Sequence, residues 1–119
     1  MTDDPTRAHE PEDLARLFVD RANAGDAEGL ALLYEPDAVL AFPPGDVTVG
    51  REAIRAVCEG LVATTSHFEP EVAMPTIRFE DLALTSTRPA DGAGGRVQVS
   101  RRQPDGTWLR IIDRPEIPT

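Results

Sequence analysis

The sequence predicts an α+β domain in which three N-terminal helices pack on one face of a curved antiparallel sheet. Two observations lead to this prediction. Apolar residues recur at helical spacing up to about residue 63, and after residue 66 the chain changes to strand-like segments separated by turns. The length of 119 residues indicates a single core. We therefore expect a flexible polar tail over residues 1–10 and one domain over residues 11–119.

Start and stop signals delimit the three helices. The first is expected to begin near Pro11, because proline suits the first helical position. Asp26 can cap a short second helix, and Pro36 is expected to stop it because proline cannot continue the helical hydrogen bonding. The third helix is expected from about Arg51 to Ala63, where the apolar residues fit the helical period best.

Strands are predicted from short apolar or alternating runs between turn signals. A short strand, AVLAF, follows the second helix, and PPGD after it is a turn. A flexible loop, PADGAGG, and a proline–aspartate–glycine turn, QPDGT, separate later strands. The strands predicted in the second half of the chain are HFEPEVAM, TIRFEDLALTST, GRVQVSRR and TWLRIID. The proline-rich end, RPEIPT, is not expected to be regular.

Composition and charge exclude several classes of partner. Twenty-one acidic residues against 12 basic ones give a net charge of −9, which disfavours binding to nucleic acid or to an anionic membrane. No apolar run approaches the roughly 20 residues that span a bilayer, and the acidic start lacks a signal-peptide pattern, so we expect a cytoplasmic protein. Cys58 is the only cysteine, and no spacing suggests a metal site, so we expect neither metal nor cofactor.

Three segments match a known architecture in order and spacing. They are NAGDAEGLALLYEPDAV, VGREAIRAVCEGL and PDGTWLRIIDRP, and the match extends over about residues 12 to 114. On these segments the chain resembles the superfamily of nuclear-transport-factor-like cones and, within it, the SnoaL-like proteins. The resemblance implies a curved sheet closed by helices around a cavity suited to a small apolar ligand. It leaves the activity open, since the superfamily includes isomerases, cyclases, dehydratases, hydrolases and non-catalytic binders.

Comparison with ketosteroid isomerase tests one specific chemistry. Such isomerases use a carboxylate base and two oxyanion donors, a tyrosine and a protonated aspartic acid. The chain is similar to them from NAGD through PPG, and on that alignment the tyrosine position holds Phe18 and the base position holds Phe42. The position of the protonated acid falls near Gln98. Because phenylalanine can neither accept nor donate a proton, we predict that the protein is not a steroid isomerase of this type.

Strand alternation predicts which side chains line the cavity. If Phe42 faces inward, so does Leu40, and on the last strand the same alignment turns Leu109, Ile111 and Asp113 inward. Tyr34 is most simply explained as part of the apolar face at the end of the second helix. Alternatively, its hydroxyl points into the cavity. The expected lining comprises Phe18, Tyr34, Leu40, Phe42, Gln98, Ser100, Leu109 and Ile111.

Asp113 is the candidate catalytic acid or base, because an apolar cavity disfavours a charged carboxylate. The alternative places it at a wet strand end, paired with Arg114 or a nearby arginine. His67 is a second candidate for acid–base work, against an ordinary surface position at the start of a strand. Cys58 lies in the apolar stripe of the third helix and is expected to be a buried, inert thiol.

The other face of the last strand is predicted to be a dimer interface. Trp108, Arg110 and Ile112 alternate with the inward residues, and tryptophan and arginine are enriched at interfaces. The outer sheet face is also the usual dimer surface in the proteins that the chain resembles. An alternative for the arginines of the last strands is a site for an anion or an acidic substrate.

These features predict a homodimeric cone that binds a small, largely apolar molecule, with catalysis left open. One alternative is a cyclase or isomerase that uses Asp113, with His67, on a polycyclic or carbonyl substrate. Another is a structural dimerisation module with a filled cavity. The first two expect Asp113 to face a space at the centre of the cone, and the third expects solid packing there.

Overall fold

The computed structural model describes residues 4–89 and 94–115. Within them, the helices are α1 (Asp13–Asn23), α2 (Ala27–Ala31) and α3 (Arg51–Thr64). The strands are β1 (Tyr34–Leu40), β2 (Thr48–Val49), β3 (Val72–Ala73), β4 (Ile77–Phe79), β5 (Leu82–Arg88), β6 (Arg96–Arg102) and β7 (Trp108–Arg114). The predicted α+β class is confirmed. Parts of the expected tail, of the PADGAGG loop and of the RPEIPT end lie outside the described residues.

The strands form one curved, open sheet in the order β2-β1-β7-β6-β5-β3, with β4 also paired to β5. Neighbouring strands are antiparallel except β1 and β7, which run parallel. The sheet is therefore mixed, whereas the sequence predicts an antiparallel one. A tight turn forces antiparallel pairing, but β1 and β7 are joined by most of the chain and are free of that constraint.

Most local helix signals agree with the structure, although α1 begins at Asp13, two residues after Pro11. The Asp26 side chain accepts a hydrogen bond from the Gly29 backbone N–H at 2.9 Å, as expected of the residue that caps α2. Gly25, between α1 and α2, has a φ of 69°, a conformation that favours glycine. α3 ends at Thr64, one residue beyond its predicted end. No helix of the described chain is long and apolar enough to cross a membrane.

Three predicted elements differ from the structure. Of the predicted strand HFEPEVAM, only Val72–Ala73 is a strand. The sequence places Tyr34 in the second helix and Pro36 at its stop, but α2 ends at Ala31 and both residues belong to β1. Pairing with β7 explains the change, since the Leu33 carbonyl accepts from the Arg110 backbone N–H at 2.8 Å. The local sequence around Tyr34 cannot reveal this pairing, because the partner strand β7 lies far along the chain.

The segment TIRFEDLALTST forms a hairpin, although it is predicted as one strand. β4 and β5 pair antiparallel, with Phe79 opposite Leu82. Glu80 in the turn has a φ of 53°, which glutamate rarely adopts. A turn made of glutamate and aspartate lacks the glycine, proline or asparagine that normally predicts one.

The pairing of β6 with β7 contains a β-bulge. Val99 lies opposite Ile112, and the next residue, Ser100, lies opposite Arg110. Ile111 is therefore the extra residue on β7. Because a bulge inserts one residue into a strand, it inverts the inside–outside alternation beyond it.

The bulge overturns part of the predicted facing of β7. Trp108 and Arg110, predicted to face outward, are buried. Leu109, predicted to face inward, alternates with them and lies opposite the exposed Arg101. Asp113 is buried, as predicted, although it shares its face with Arg110 and not with Leu109. Regular alternation along β7 cannot place Arg110 and Asp113 on the same face.

The core lies between the helices and the inner face of the sheet. Leu14, Leu30 and Ile54, one from each helix, are at most 1% exposed. They pack in one cluster with residues of the sheet and of α3, among them Tyr34, Leu40, Cys58, Ala83 and Trp108. The helices therefore position the inner face of β1 and β7, where the candidate site lies.

The segment around Ala8, ahead of α1, packs on the domain, although residues 1–10 are expected to form a flexible tail. Ala8 is buried, and its carbonyl accepts from the Trp108 backbone N–H at 2.9 Å. Arg7 forms an ion pair with Asp105 in the β6–β7 turn. The first N–H of β7 would otherwise lack a partner, which explains why the segment is held there.

The outer face of the sheet carries a continuous apolar row. On β2, β1, β7, β6, β5 and β4, one aliphatic side chain from each strand lies opposite an aliphatic side chain of the next. We define the apolar row as Val49, Val39, Ile112, Val99, Leu84 and Ile77. Four of its six members are at least 39% exposed. Large apolar patches are uncommon on monomers, so this row is a candidate interface.

Candidate functional site

Four polar residues meet on the inner face of the sheet. Tyr34 begins β1, Ser100 lies on β6, and Arg110 and Asp113 flank the bulge of β7. All four are buried, with at most 5% of their surface exposed. We call Tyr34, Ser100, Arg110 and Asp113 the buried polar cluster. Polar side chains at this depth are uncommon in a core and are normally hydrogen-bonded.

Direct hydrogen bonds connect three members of the cluster. The Tyr34 hydroxyl donates to Asp113 Oδ2 at 2.6 Å. One terminal nitrogen of Arg110 lies 3.3 Å from the Tyr34 hydroxyl and 3.5 Å from Asp113 Oδ2. The ion pair of Arg110 with Asp113 is almost inaccessible to solvent. The charges therefore compensate each other in a dry environment.

Neighbouring elements hold the two ends of the cluster in place. Arg51, the first residue of α3, donates two hydrogen bonds to the Tyr34 carbonyl at 2.6 and 3.0 Å. The Arg110 guanidinium lies 5.2 Å from the centre of the Phe18 ring and 5.7 Å from that of Tyr34. Stacking of a cation on aromatic faces stabilises it where water is excluded. The position of Arg110 is thus fixed from α1 as well as from the sheet.

Three buried atoms of the cluster have no hydrogen-bond partner within the described chain. They are Ser100 Oγ, Arg110 Nε and Asp113 Oδ1. Ser100 and Arg110 lie directly opposite each other on β6 and β7, and Gln98 lies opposite Asp113. The three atoms therefore belong to adjacent positions on one face. Unsatisfied buried atoms are rare in native structures, where ordered water or a bound group normally satisfies them.

The surroundings of Tyr34 favour its neutral form. Burial, followed by the neighbouring charge of Asp113, raises the pKa of the Tyr34 hydroxyl well above its ordinary value. The hydroxyl therefore stays a hydrogen-bond donor at neutral pH. Burial likewise raises the pKa of the Cys58 thiol, to about 11. This agrees with the prediction of an inert thiol, since the thiolate is the reactive form.

We expect Tyr34 to resist ionisation for as long as the protein is folded. It is the only tyrosine, so an alkaline absorbance titration reports this group alone. Because its pKa is raised in the folded state, stability is intact below a pH of about 10, the unfolded pKa, and falls as the pH rises further. Tyrosinate absorbance should therefore appear together with the loss of the circular dichroism of the fold. Ionisation near pH 10 with the fold intact would contradict the buried position.

The structure brings together some of the predicted site residues and separates others. Phe18 contacts the cluster, and the buried Leu40 and Gln98 lie opposite Asp113 on the two neighbouring strands. Phe42 does not line this site, because β1 ends at Leu40 and Phe42 is 43% exposed.

Three other predicted residues also lie away from the cluster. The His67 side chain is 63% exposed and pairs with Glu69 at 2.8 Å, in agreement with the alternative of a surface histidine. Leu109 faces outward, and Ile111 is the half-buried bulge residue of β7. Both are placed inside by an alternation that the bulge interrupts.

Arg110 is the member of the buried polar cluster that the sequence does not reveal. Alternation assigns it to the outer face because it lies between Leu109 and Ile111 in the sequence. Asp113 lies three positions after Arg110, a spacing that puts two residues on opposite faces of a regular strand. Only the bulge turns both side chains to the same side, and no local signal predicts the bulge.

Within residues 4–89 and 94–115, no three histidine, cysteine, aspartate or glutamate side chains converge as metal ligands would. Two surface clefts lie elsewhere, one between α2 and α3 and one beside the β6–β7 turn. The first includes Arg51 and Glu59 in its lining, and the second includes Arg7 and Asp105. Neither is lined by a member of the buried polar cluster.

A family model described as a SnoaL-like domain matches residues 15–112. The chain belongs to the SnoaL-like domain family. The resemblance inferred from the three sequence segments is thus confirmed. Among curated proteins, none matches this SnoaL-like domain.

Solved structures similar to this SnoaL-like domain have the same cone fold. An NTF2-like protein with a cystatin-like fold from Novosphingobium aromaticivorans is 21% identical over 88% of this chain and 77% of that one, with a TM-score of 0.68. A ketosteroid isomerase-like protein from Erwinia carotovora atroseptica is 19% identical over 87% and 89%, with a TM-score of 0.69. A protein from Catenulispora acidiphila, in complex with S-DNPA, is 18% identical over 87% and 89%, with a TM-score of 0.66. At these identities the likeness extends to the fold alone.

Proposed function

We propose that this SnoaL-like domain binds a small, largely apolar molecule whose polar group contacts the buried polar cluster. The main support is the set of three buried atoms without a partner, Ser100 Oγ, Arg110 Nε and Asp113 Oδ1. Each such atom destabilises the protein by roughly 1–3 kcal/mol, and more when it is charged. A bound molecule that satisfies them therefore gains affinity from atoms that the fold leaves open.

Two further observations support binding at this place. Arg110, Asp113 and Tyr34 hold one another, so the polar surface offered to a ligand is preorganised. A protein of the same fold from Catenulispora acidiphila was solved in complex with S-DNPA, which supports ligand binding as a function compatible with this fold. The apolar neighbours Phe18, Leu40 and Cys58 suit the rest of such a molecule.

Native mass spectrometry of the freshly purified protein provides the direct test. We expect a fraction of molecules to carry a small adduct that denaturation releases. The Asp113→Asn variant should retain less of it, while Asp20→Asn, the same chemical change on the exposed surface of α1, should retain as much as wild type. Ser100→Ala removes no hydrogen bond of the described structure, because Ser100 Oγ has no partner there. We therefore expect this variant of the cluster to fold. Equal retention in all four proteins would contradict binding at the cluster.

An acid–base enzyme is the second candidate function. The Tyr34 hydroxyl donates to one oxygen of Asp113 and leaves the other, Oδ1, with a free lone pair in a buried site. Such an oxygen can take a proton from a substrate, and the nearby Arg110 N–H can stabilise developing negative charge. The bound molecule identified by mass spectrometry is the compound to test for turnover. Loss of turnover in Asp113→Asn with binding retained would establish this candidate over simple binding.

We expect no efficient isomerisation of a β,γ-unsaturated ketosteroid. Phe18 and Phe42 stand where the tyrosine and the base of that chemistry are expected, and Phe42 is partly in solvent. Loss of a general base alone lowers the rate by a factor of about 10² to 10⁴. Absorbance of the conjugated product measures the rate. Turnover within about tenfold of a median enzyme, near 10 per second, would contradict the expectation.

We also propose that the protein is a homodimer joined through the apolar row. The charged neighbours of the row pair within their own chain, as Glu35 does with Arg101 through two hydrogen bonds of 2.9 Å. The face therefore offers an apolar, locally neutral surface. Although the chain has a net charge of −9, this face carries little net charge. Two copies can therefore pack through it without strong electrostatic repulsion between the contacting surfaces. If the interior proves solidly packed and binds nothing, this dimer remains as the structural alternative.

A further inference from the structure

We propose that the buried polar cluster selects a neutral hydroxyl group, that of an alcohol or a phenol, in preference to an anion or to an ether or ketone. The inference rests on the proposed binding function and specifies the chemical class of the ligand. Two properties of the cluster lead to it: the hydrogen-bonding atoms that remain open, and the sign of charge that the site tolerates.

The open atoms require a partner that both donates and accepts. Among residues 4–89 and 94–115, Asp113 Oδ2 accepts from Tyr34 and Oδ1 has no partner. Arg110 uses one terminal nitrogen toward Tyr34 and Asp113, and its Nε is unpartnered. A carboxylate oxygen can only accept and a guanidinium N–H can only donate. A hydroxyl can both donate and accept, whereas an ether or a ketone leaves Asp113 Oδ1 open.

Ser100 adapts to either role. Its hydroxyl can donate or accept, and its side chain is fully buried directly opposite Arg110. Side chains at directly opposite positions have Cβ atoms about 4.5–5.5 Å apart, so one small group can contact both residues. Ser100 therefore completes the set of contacts without altering the requirement for one donor and one acceptor.

The charges of the cluster leave no place for an ion. Arg110 and Asp113 compensate each other, and Tyr34 is neutral. An anionic ligand would place a second negative charge beside Asp113 in a site with little water. A cation would compete with Arg110, which Phe18 and Tyr34 hold by their ring faces. Only a neutral polar group preserves the balance.

Three one-ring probes of nearly equal size separate the possibilities. Phenol donates and accepts, anisole only accepts, and benzoate is an anion. Each is titrated at pH 7 into ¹⁵N-labelled protein, and the Arg110 Nε–Hε signal and the backbone amides of Ser100 and Asp113 are followed. We expect phenol to bind at least about fivefold more tightly than anisole, from the value of one satisfied buried acceptor. Benzoate should bind more weakly still.

Two variants locate the preference. In Asp113→Asn the ratio of phenol to anisole affinity should approach one, because the charged acceptor is gone. In Asp20→Asn the ratio should match wild type, since Asp20 lies exposed on α1. The wild-type series is decisive by itself, so an Asp113→Asn protein that fails to fold does not remove the test.

The outcomes distinguish the ligand class from the function. Anisole or benzoate binding as tightly as phenol, with shifts at Arg110 Nε, would overturn the hydroxyl preference and leave the binding function standing. No shift at Arg110 Nε with any probe would also overturn the hydroxyl preference, and the native mass spectrum then decides the binding function independently.

Discussion

Arg110→Met is expected to destabilise the protein by about 3–5 kcal/mol, because it leaves the charge of Asp113 buried without its partner. This is a large fraction of the roughly 5–15 kcal/mol that stabilises a typical domain. Methionine fills a similar volume and remains beside the Phe18 ring, so lost charge compensation dominates the effect. Thermal and urea unfolding, followed by circular dichroism, measure it. The melting temperature should fall by roughly 10–20 °C.

Two further variants provide the controls for this result. Arg102→Met breaks an ion pair with Asp81 in which both side chains are more than half exposed, and should cost at most about 1 kcal/mol. Arg110→Met combined with Asp113→Asn removes both charges while an amide oxygen can still accept from Tyr34. The double variant should recover more than half of the loss. A cost for Arg110→Met no larger than that for Arg102→Met would show that the cluster is hydrated rather than dry.

Ile112→Glu is expected to dissociate the proposed homodimer. Ile112 stands in the apolar row and is 50% exposed, so the substitution leaves the monomer core intact. In a two-fold symmetric contact it places a charge from each copy in an apolar surface. The dissociation constant should rise at least about 30-fold. Light scattering coupled to size exclusion should give twice the 12.9 kDa chain mass for wild type and the single mass for the variant.

Val72→Glu is the matched control for the interface. Val72 is 67% exposed on β3 and lies outside the apolar row, so the same chemical change should leave the dimer intact. Trp108 is unsuitable for this purpose, although the sequence places it on the outer face, because it is buried and its substitution would test folding. A wild-type protein that elutes as a 12.9 kDa monomer at micromolar concentration would rule out the dimer.

Local chemistry makes much of the fold predictable. The Asp26 cap, Gly25 after α1, the helical period of α3 and the QPDGT turn each act within a few residues, so the sequence alone locates them. The expectation that this is not a steroid isomerase also comes from the sequence alone, because Phe18 and Phe42 align with the tyrosine and the base of that chemistry. The order and spacing of such segments also suffice to identify the SnoaL-like family.

The site itself is decided by pairing between distant strands. Tyr34 belongs to a strand and not to the expected helix because β1 pairs with β7. Arg110 faces inward because β7 has a bulge opposite Val99 and Ser100. The sequence places Asp113 correctly, but not its partners. Side-chain alternation is a local rule, whereas the register and the bulges of a sheet depend on the partner strand. The sequence therefore determined the cone and one acid inside it, and the tertiary structure determined which residues that acid contacts.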